Sequence, residues 1–284
     1  MLTPMTRLPD PVDIRQEDLD EYLAKSHRAG YVPLAKIFCR PATTGDETTL
    51  SKLVRAHDVA TLDLYQLVLV KAVSLRQGDL ATGVGPYPAR VWGRLLGIGE
   101  MTGLSALSRI LRRAEFRQLL RREHRGSGIV LYPLREEGDG GDYARPLGGR
   151  RRPYLQIPLQ YWKDGWDRLL TLPAKAMLLV LLSREDWSVL PFDEVEDWYS
   201  ITRETAEKGI RELKKVGLLE ASVSQERRLL SVHVYDRVTR YRLQPPFGPL
   251  SDRAPRRGRR FRVAQHRPQV ERQSVISPPG NQPG

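Results

Sequence analysis

The sequence predicts a mainly helical α+β fold made of two similar domains, each closing on a small β-hairpin, with a disordered basic tail behind them. Three observations carry this expectation. In each half, apolar residues first recur at helical spacing and then give way to alternating apolar and polar residues. A stretch rich in Gly and Arg and without apolar periodicity, REEGDGGDYARPLGGRRRP, separates the halves. The chain has 284 residues, and domains usually span about 100–150 residues.

Residues 1–30 read as a flexible arm, with a short helix over Gln16–Ser26. The first domain is expected over 31–134. It opens on the extended segment YVPLAKIFCRP. A helix follows over Thr61–Gly78, with Leu64, Leu67, Val68 and Lys71/Ala72 at helical spacing and Gly78 as its stop. Pro88 suits the first turn of the next short helix, ARVWGRLLGI. GIGEMTG is a turn. GLSALSRILRRAEFRQLL is a second helix that places Leu104, Leu107, Ile110 and Leu111 on one face. RREHRGSG is a charged tip, and IVLYPL is a strand.

Residues 135–153 are the expected linker, and 154–247 the second domain. YLQIPLQYW enters it much as YVPLAKIF enters the first. TLPAKAMLLVLLSRE is a buried helix and PFDEVEDWYS a short one. Next comes ITRETAEKGIRELKKVGLLEA. Thr202 can cap a helix there, since its hydroxyl can accept from free N–H groups of the first turn. Ala206, Ile210 and Leu213 form an apolar stripe. Gly217, after Lys214 and Lys215, sits where a helix ends in a left-handed residue. The following segment alternates like a hairpin, with a turn near Ser224–Arg227 and Leu230, Val232 and Val234 on one face.

This helix, with Arg203, Glu204, Glu207, Lys208 and Arg211 outside and G-L-L at its end, resembles the recognition helix of winged helix-turn-helix proteins. SRILRRAEFRQLLRREHRGSGIVLYPL resembles the same recognition helix, strand, wing and strand, although no glycine marks a helix end between Ala114 and Leu119. The resemblance covers Thr61–Leu134 and Tyr154–Leu243. It points to bacterial transcription regulators and to plasmid replication initiators with tandem winged helices. It implies that the recognition helix enters the major groove and the wing touches the flanking backbone. Arg203, Thr205, Lys208 and Arg211 would then face DNA in the second domain. Arg109, Arg112, Arg113 and Arg117 would do so in the first. Arg122, His124, Arg125, Arg227 and Arg228 would be wing contacts.

Charge points the same way. Net charge is +12 and the isoelectric point near 10.0. That balance attracts polyanions, nucleic acid first and an anionic membrane surface second. From Ser251 onward Arg253, Arg256, Arg257, Arg259, Arg260, Arg262, Arg267 and Arg272 face only Asp252 and Glu271. The tail over 248–284 is therefore expected to grip phosphate non-specifically, through Arg256, Arg257, Arg259, Arg260 and Arg262. Between Arg109 and Arg125 seven arginines are opposed by Glu115 and Glu123 alone. The second domain mixes acids with its bases, at Asp193, Glu194, Glu196, Asp197, Glu204 and Glu207, so a protein partner or a second copy remains open there. The expected partner is double-stranded DNA, with a homodimer or a replication or transcription protein as further candidates.

Other chemistries find little footing. Cys39 is the single cysteine, which excludes an intramolecular disulfide and a multi-cysteine zinc site. His27, His57, His124, His233 and His266 are scattered and form no H-x-H or H-E-x-x-H. No G-x-x-x-x-G-K-[ST] is present, and the acids of FDEVED read as a wet helix face. The five tryptophans lie on or beside apolar helix faces and read as core. The expectation is no catalysis, no cofactor and no metal. The N-terminus lacks a signal-peptide pattern. The longest apolar run, Ala176–Leu182, is far short of the ~20 residues that span a bilayer. A cytoplasmic, nucleoid-associated protein without membrane contact is expected. Control of transcription is the leading role, replication initiation at repeated origin sites the alternative, and a protein-assembly module the rival of another class.

Overall fold

The computed structural model describes residues 11–24, 30–41, 43, 45–75, 77–99, 103–146, 153–227 and 235–248. In chain order the first part comprises α1 (Pro11–Ala24), β1 (Tyr31–Ala35), α2 (Thr49–Arg55), α3 (Val59–Ala72), β2 (Val84–Tyr87), α4 (Ala89–Leu95), α5 (Gly103–Phe116), β3 (Leu120–Arg125) and β4 (Gly128–Pro133). The second part comprises β5 (Tyr154–Pro158), the short helices α6 (Gln160–Lys163) and α7 (Trp166–Leu169), α8 (Leu172–Leu182), β6 (Ser188–Val189), α9 (Val195–Tyr199), α10 (Arg203–Lys215), β7 (Leu219–Arg227) and β8 (Tyr235–Leu243). The fold is mixed α and β with small antiparallel sheets.

The helix starts follow from local chemistry. Thr48 and Ser51 form a reciprocal capping box at α2. Asp58 caps α3 by accepting from the Thr61 N–H at 3.4 Å and the Thr61 hydroxyl at 2.9 Å. Pro173 stands in the first turn of α8, and Thr202 caps α10.

The two halves repeat one order. Helix, strand, short helix, helix and two strands are α3, β2, α4, α5, β3, β4 in the first half and α8, β6, α9, α10, β7, β8 in the second. The sheets repeat it too, as β2-β4-β3 and β6-β8-β7. Even the register agrees. Leu120 opposes Pro133 while Leu131 opposes Val84. Correspondingly, Leu219 opposes Leu243 while Tyr241 opposes Ser188. Sequence periodicity showed the order but not this correspondence residue by residue, because the buried side chains differ at matched positions.

Several expectations change. The short helix expected over Gln16–Ser26 runs from Pro11 to Ala24, and it is packed on the fold instead of standing in a flexible arm. Its Leu19, Tyr22 and Leu23 are buried, and the Tyr22 hydroxyl donates to the Leu67 carbonyl at 2.9 Å. The expected linker is packed on the first half as far as Pro146. Glu136 and Tyr143 are buried, the Thr49 hydroxyl donates to the Glu136 carbonyl at 2.7 Å, and Arg145 donates to the carbonyl of Leu75. Leu104 is exposed rather than on the apolar face of α5. Strand β7 continues through Ser224–Arg227, so the turn expected there lies further on, and Leu230, Val232 and Val234 fall outside the described residues. The charged tip RREHRGSG is mostly strand, with only Gly126 and Ser127 between the paired Arg125 and Gly128. Gly126 has φ +60, the first-position glycine that a tight two-residue hairpin favours.

The halves are joined through a two-stranded ribbon, β1 against β5. Tyr31 opposes Pro158, Pro33 opposes Gln156 and Ala35 opposes Tyr154. The two entering segments that looked alike in sequence therefore pair with each other. Two ion pairs reinforce the join: Arg15 to Asp167 at 2.6 Å, buried on both sides, and Lys175 to Asp63 at 2.6 Å, buried on the lysine side. All described residues belong to one unit, Met1–Leu250.

Candidate nucleic-acid interface

Helices α5 and α10 hold the same place in the two halves and end the same way. The Leu119 N–H bonds the Ala114 carbonyl and the Gln118 N–H that of Glu115; the Leu218 N–H bonds Leu213 and the Gly217 N–H that of Lys214. These are two Schellman closures. Their left-handed residues are Gln118, φ +55, and Gly217, φ +77. Placing Gln118 on Gly217 puts Arg109 on Lys208 and Arg112 on Arg211. All four are exposed, and none has an ion-pair partner among the described residues. Residues three apart on a helix share a face, so each helix presents two cations together.

The opposite faces are core. Leu107, Ile110, Leu111 and Ala114 are buried on α5, and Ala206, Gly209, Ile210 and Leu213 on α10. Gly209 was not singled out in the sequence. A Cβ there would lie 2.3 Å from the Pro173 carbonyl oxygen and 2.7 Å from Met177 Cγ. Thus α10 and α8 meet on bare backbone.

Of the other expected arginines, Arg113, Arg117, Arg122, Arg125 and Arg203 are committed within the protein. Asp58, buried at the start of α3, binds Arg113 Nε at 3.0 Å and Arg117 Nε at 3.2 Å. The place matching Arg113 is Glu212. Glu212 accepts from the Thr171 N–H at 2.8 Å and from the Thr171 hydroxyl, and Thr171 is the N-cap of α8. Both halves therefore tie the third helix to the start of the first by a polar latch, with opposite charge on the third helix. Neither latch was legible from spacing, because its two ends are far apart in sequence.

On the first hairpin, Arg122 pairs with Glu115 at 3.1 Å. Arg125 contacts Glu123 at 3.3 Å and the Tyr132 hydroxyl at 2.9 Å. Hydrogen bonds from Tyr132 and Arg125 hold the Glu123 carboxyl below its ordinary pKa. Arg121, left out of the expected contacts, lies over the Tyr132 ring at 4.4 Å. His124 is exposed on β3. On α10, Arg203 pairs with Asp193 and, at 2.8 Å, with Glu207. The Thr205 hydroxyl bonds that of Thr202 at 2.9 Å. Arg227 ends β7, while Arg228 and tail residues Arg256, Arg257, Arg259, Arg260 and Arg262 lie outside the described residues.

Among the described residues no group of three His, Cys, Asp or Glu is placed to hold a metal ion, and no helix is long and apolar enough to cross a membrane. Compared with known proteins, the chain matches no family model, no curated protein and no solved structure.

Proposed function

We propose that the two halves are winged-helix units in tandem and that the protein binds duplex DNA in a sequence-dependent way, each third helix entering a major groove. The observation that carries this reading is the matched pair of free cations, Arg109 and Arg112 on α5 and Lys208 and Arg211 on α10, at the same places of two helices with the same closure and the same sheet register. Solubility alone requires no such match. Arginine at these places can pair with guanine O6 and N7 or with phosphate, and lysine supplies charge. Arg113 and Arg117 position α5 through Asp58 instead of reading bases.

The halves contribute unequally. Arg203, at the start of α10, is neutralised by Asp193 and Glu207, and Glu194, Glu196 and Asp197 are exposed on and beside α9. Carboxylates repel phosphate, so the first half carries more of the affinity, and the second half retains a face suited to a protein partner. Control of transcription is the role this serves, with replication initiation as the alternative.

The test is selection from a pool of random duplex DNA, using the full chain and a version ending at Leu250. Enrichment of a motif by the shorter chain supports the reading, and the genomic position of that motif separates the two roles. Loss of all binding with the tail, and no enriched motif, refutes it in favour of an assembly module.

A further inference from the structure

Strands β1 and β5 lead into the two halves, and they pair about an axis of symmetry. Each has five residues, and the third of one, Pro33, opposes the third of the other, Gln156. Tyr31, the first of β1, opposes Pro158, the last of β5; Ala35, the last of β1, opposes Tyr154, the first of β5. Backbone bonds beyond the strands keep the same rule. The N–H of Lys36, just after β1, donates to the carbonyl of Pro153, just before β5, at 2.8 Å. The N–H of Leu159, just after β5, donates to the carbonyl of Gly30, just before β1, at 3.0 Å. An interface in which i meets j and j meets i is what a two-fold axis produces. Here the axis passes between Pro33 and Gln156. Units repeated by translation would keep one chain direction, and their matching strands would not pair antiparallel.

The relation reaches past the ribbon. Cys39, four residues beyond β1, lies against the second half, its Sγ 3.9 Å from the Leu179 carbonyl of α8. Trp162, four residues beyond β5, faces the first half and lines one cavity with Asp63 and Leu67 of α3. Helices α3 and α8 meet through Asp63 and Lys175 at 2.6 Å, the fifth and fourth residues after the caps Asp58 and Thr171. The latches carry the relation outward: Asp58 holds Arg113 of α5, and Thr171 holds Glu212 at the matching place of α10. An operation that exchanges α3 with α8 therefore exchanges α5 with α10.

Duplex DNA has two-fold axes that exchange its strands, and recognition helices related by such an axis read inverted half-sites. We propose that one chain binds, in the manner of a two-fold dimer, a duplex site made of two inverted half-sites, Arg112 of α5 reading one strand and Arg211 of α10 the other. This rests on the DNA reading above and adds to it the symmetry of the target. Arg109 matches Lys208, so the two half-sites are alike without being identical.

The experiment is selection from random duplex DNA with the full chain, with Arg112→Ala and with Arg211→Ala, followed by sedimentation of the full chain on the selected duplex. Both arginines are exposed, so neither change disturbs the core. Each variant is expected to relax the motif at one guanine, the two guanines lying on opposite strands about the motif's centre, with one chain on each duplex. Reversing one half-site then weakens binding about tenfold or more. Relaxed guanines on the same strand, relaxation by only one variant, two chains on one duplex, or affinity unchanged by the reversal overturns the proposal and leaves the DNA reading standing. A pool without an enriched motif, or a motif that neither variant relaxes, removes base reading by the third helices and this proposal with it.

Discussion

Gln118 and Gly217 occupy one and the same place in the two halves, the left-handed residue that closes the third helix. Only Gly217 is free of a Cβ penalty there, since a left-handed conformation costs an ordinary residue roughly 1–2 kcal/mol. Gln118→Gly is therefore expected to stabilise the protein by about 0.5–1 kcal/mol, the gain reduced by the freer unfolded chain. Urea unfolding measures it, and a loss of stability would show that the Gln118 side chain holds something the backbone does not need.

The Asp58 latch makes a second prediction. Asp58→Ala removes a helix cap and strands Arg113 and Arg117 together, so a loss of about 2–4 kcal/mol is expected. Asp58→Asn keeps the cap and loses only the charge, and is expected to cost about half as much. An Asp58→Asn variant as stable as the parent, measured by urea unfolding, would mean that the ion pairs contribute nothing, and equal losses in the two variants that the cap contributes nothing.

Gly209→Ala tests the helix crossing. The new methyl group meets the Pro173 carbonyl at 2.3 Å, and a backbone atom cannot move aside as a flexible side chain does. Overpacking of this kind costs about 1–3 kcal/mol. Thermal unfolding that left Gly209→Ala as stable as the parent would contradict the close approach of α10 to α8.

Glu136 gives a pH dependence. Burial raises its carboxyl to about 7, against hydrogen bonds that lower it, the Ala35 N–H among the donors. The folded state therefore holds this proton more tightly than the unfolded chain. The Glu136 contribution is fully favourable below the ordinary glutamate range and is lost as pH rises to about 7. Glu136→Gln keeps the acceptor oxygen and removes the titration. It is expected to be more stable than the parent at pH 8 by roughly 1–3 kcal/mol, at ~1.4 kcal/mol per unit of pKa shift, and to lose that advantage by pH 4. Unfolding by urea at the two pH values checks the sign.

Local signals in the sequence marked the helices well. Pro173, Thr202 and Gly217 each act within a few residues of the end they define, and the structure puts them at those ends. What the sequence concealed acts over distance. Gln118 rarely adopts a left-handed conformation, so α5 had no visible stop, and its closure depends on Ala114 and Glu115 accepting the following N–H groups. The pairing of β1 with β5 joins segments that carry no turn between them. Asp58 reads as a cap from its neighbours, and its grip on Arg113 and Arg117 appears only when α5 is laid across α3. For the same reason the arginine run between Arg109 and Arg125 looked uniform, although Arg109 and Arg112 remain free while Arg113, Arg117, Arg122 and Arg125 are paired.

That division is the most direct test of DNA binding by the third helices. We would titrate the full chain against its selected duplex at several salt concentrations, beside Arg109→Ala/Arg112→Ala, Lys208→Ala/Arg211→Ala and the control Lys52→Ala/Arg55→Ala, which removes the same charge from α2. The account predicts that the α5 variant loses about 2–6 kcal/mol, taking ~1–3 kcal/mol for each of two base contacts, and that its salt slope falls. The α10 variant loses less, and the control stays near the parent. Equal affinities and equal salt slopes in the α5 variant and the control would contradict the account.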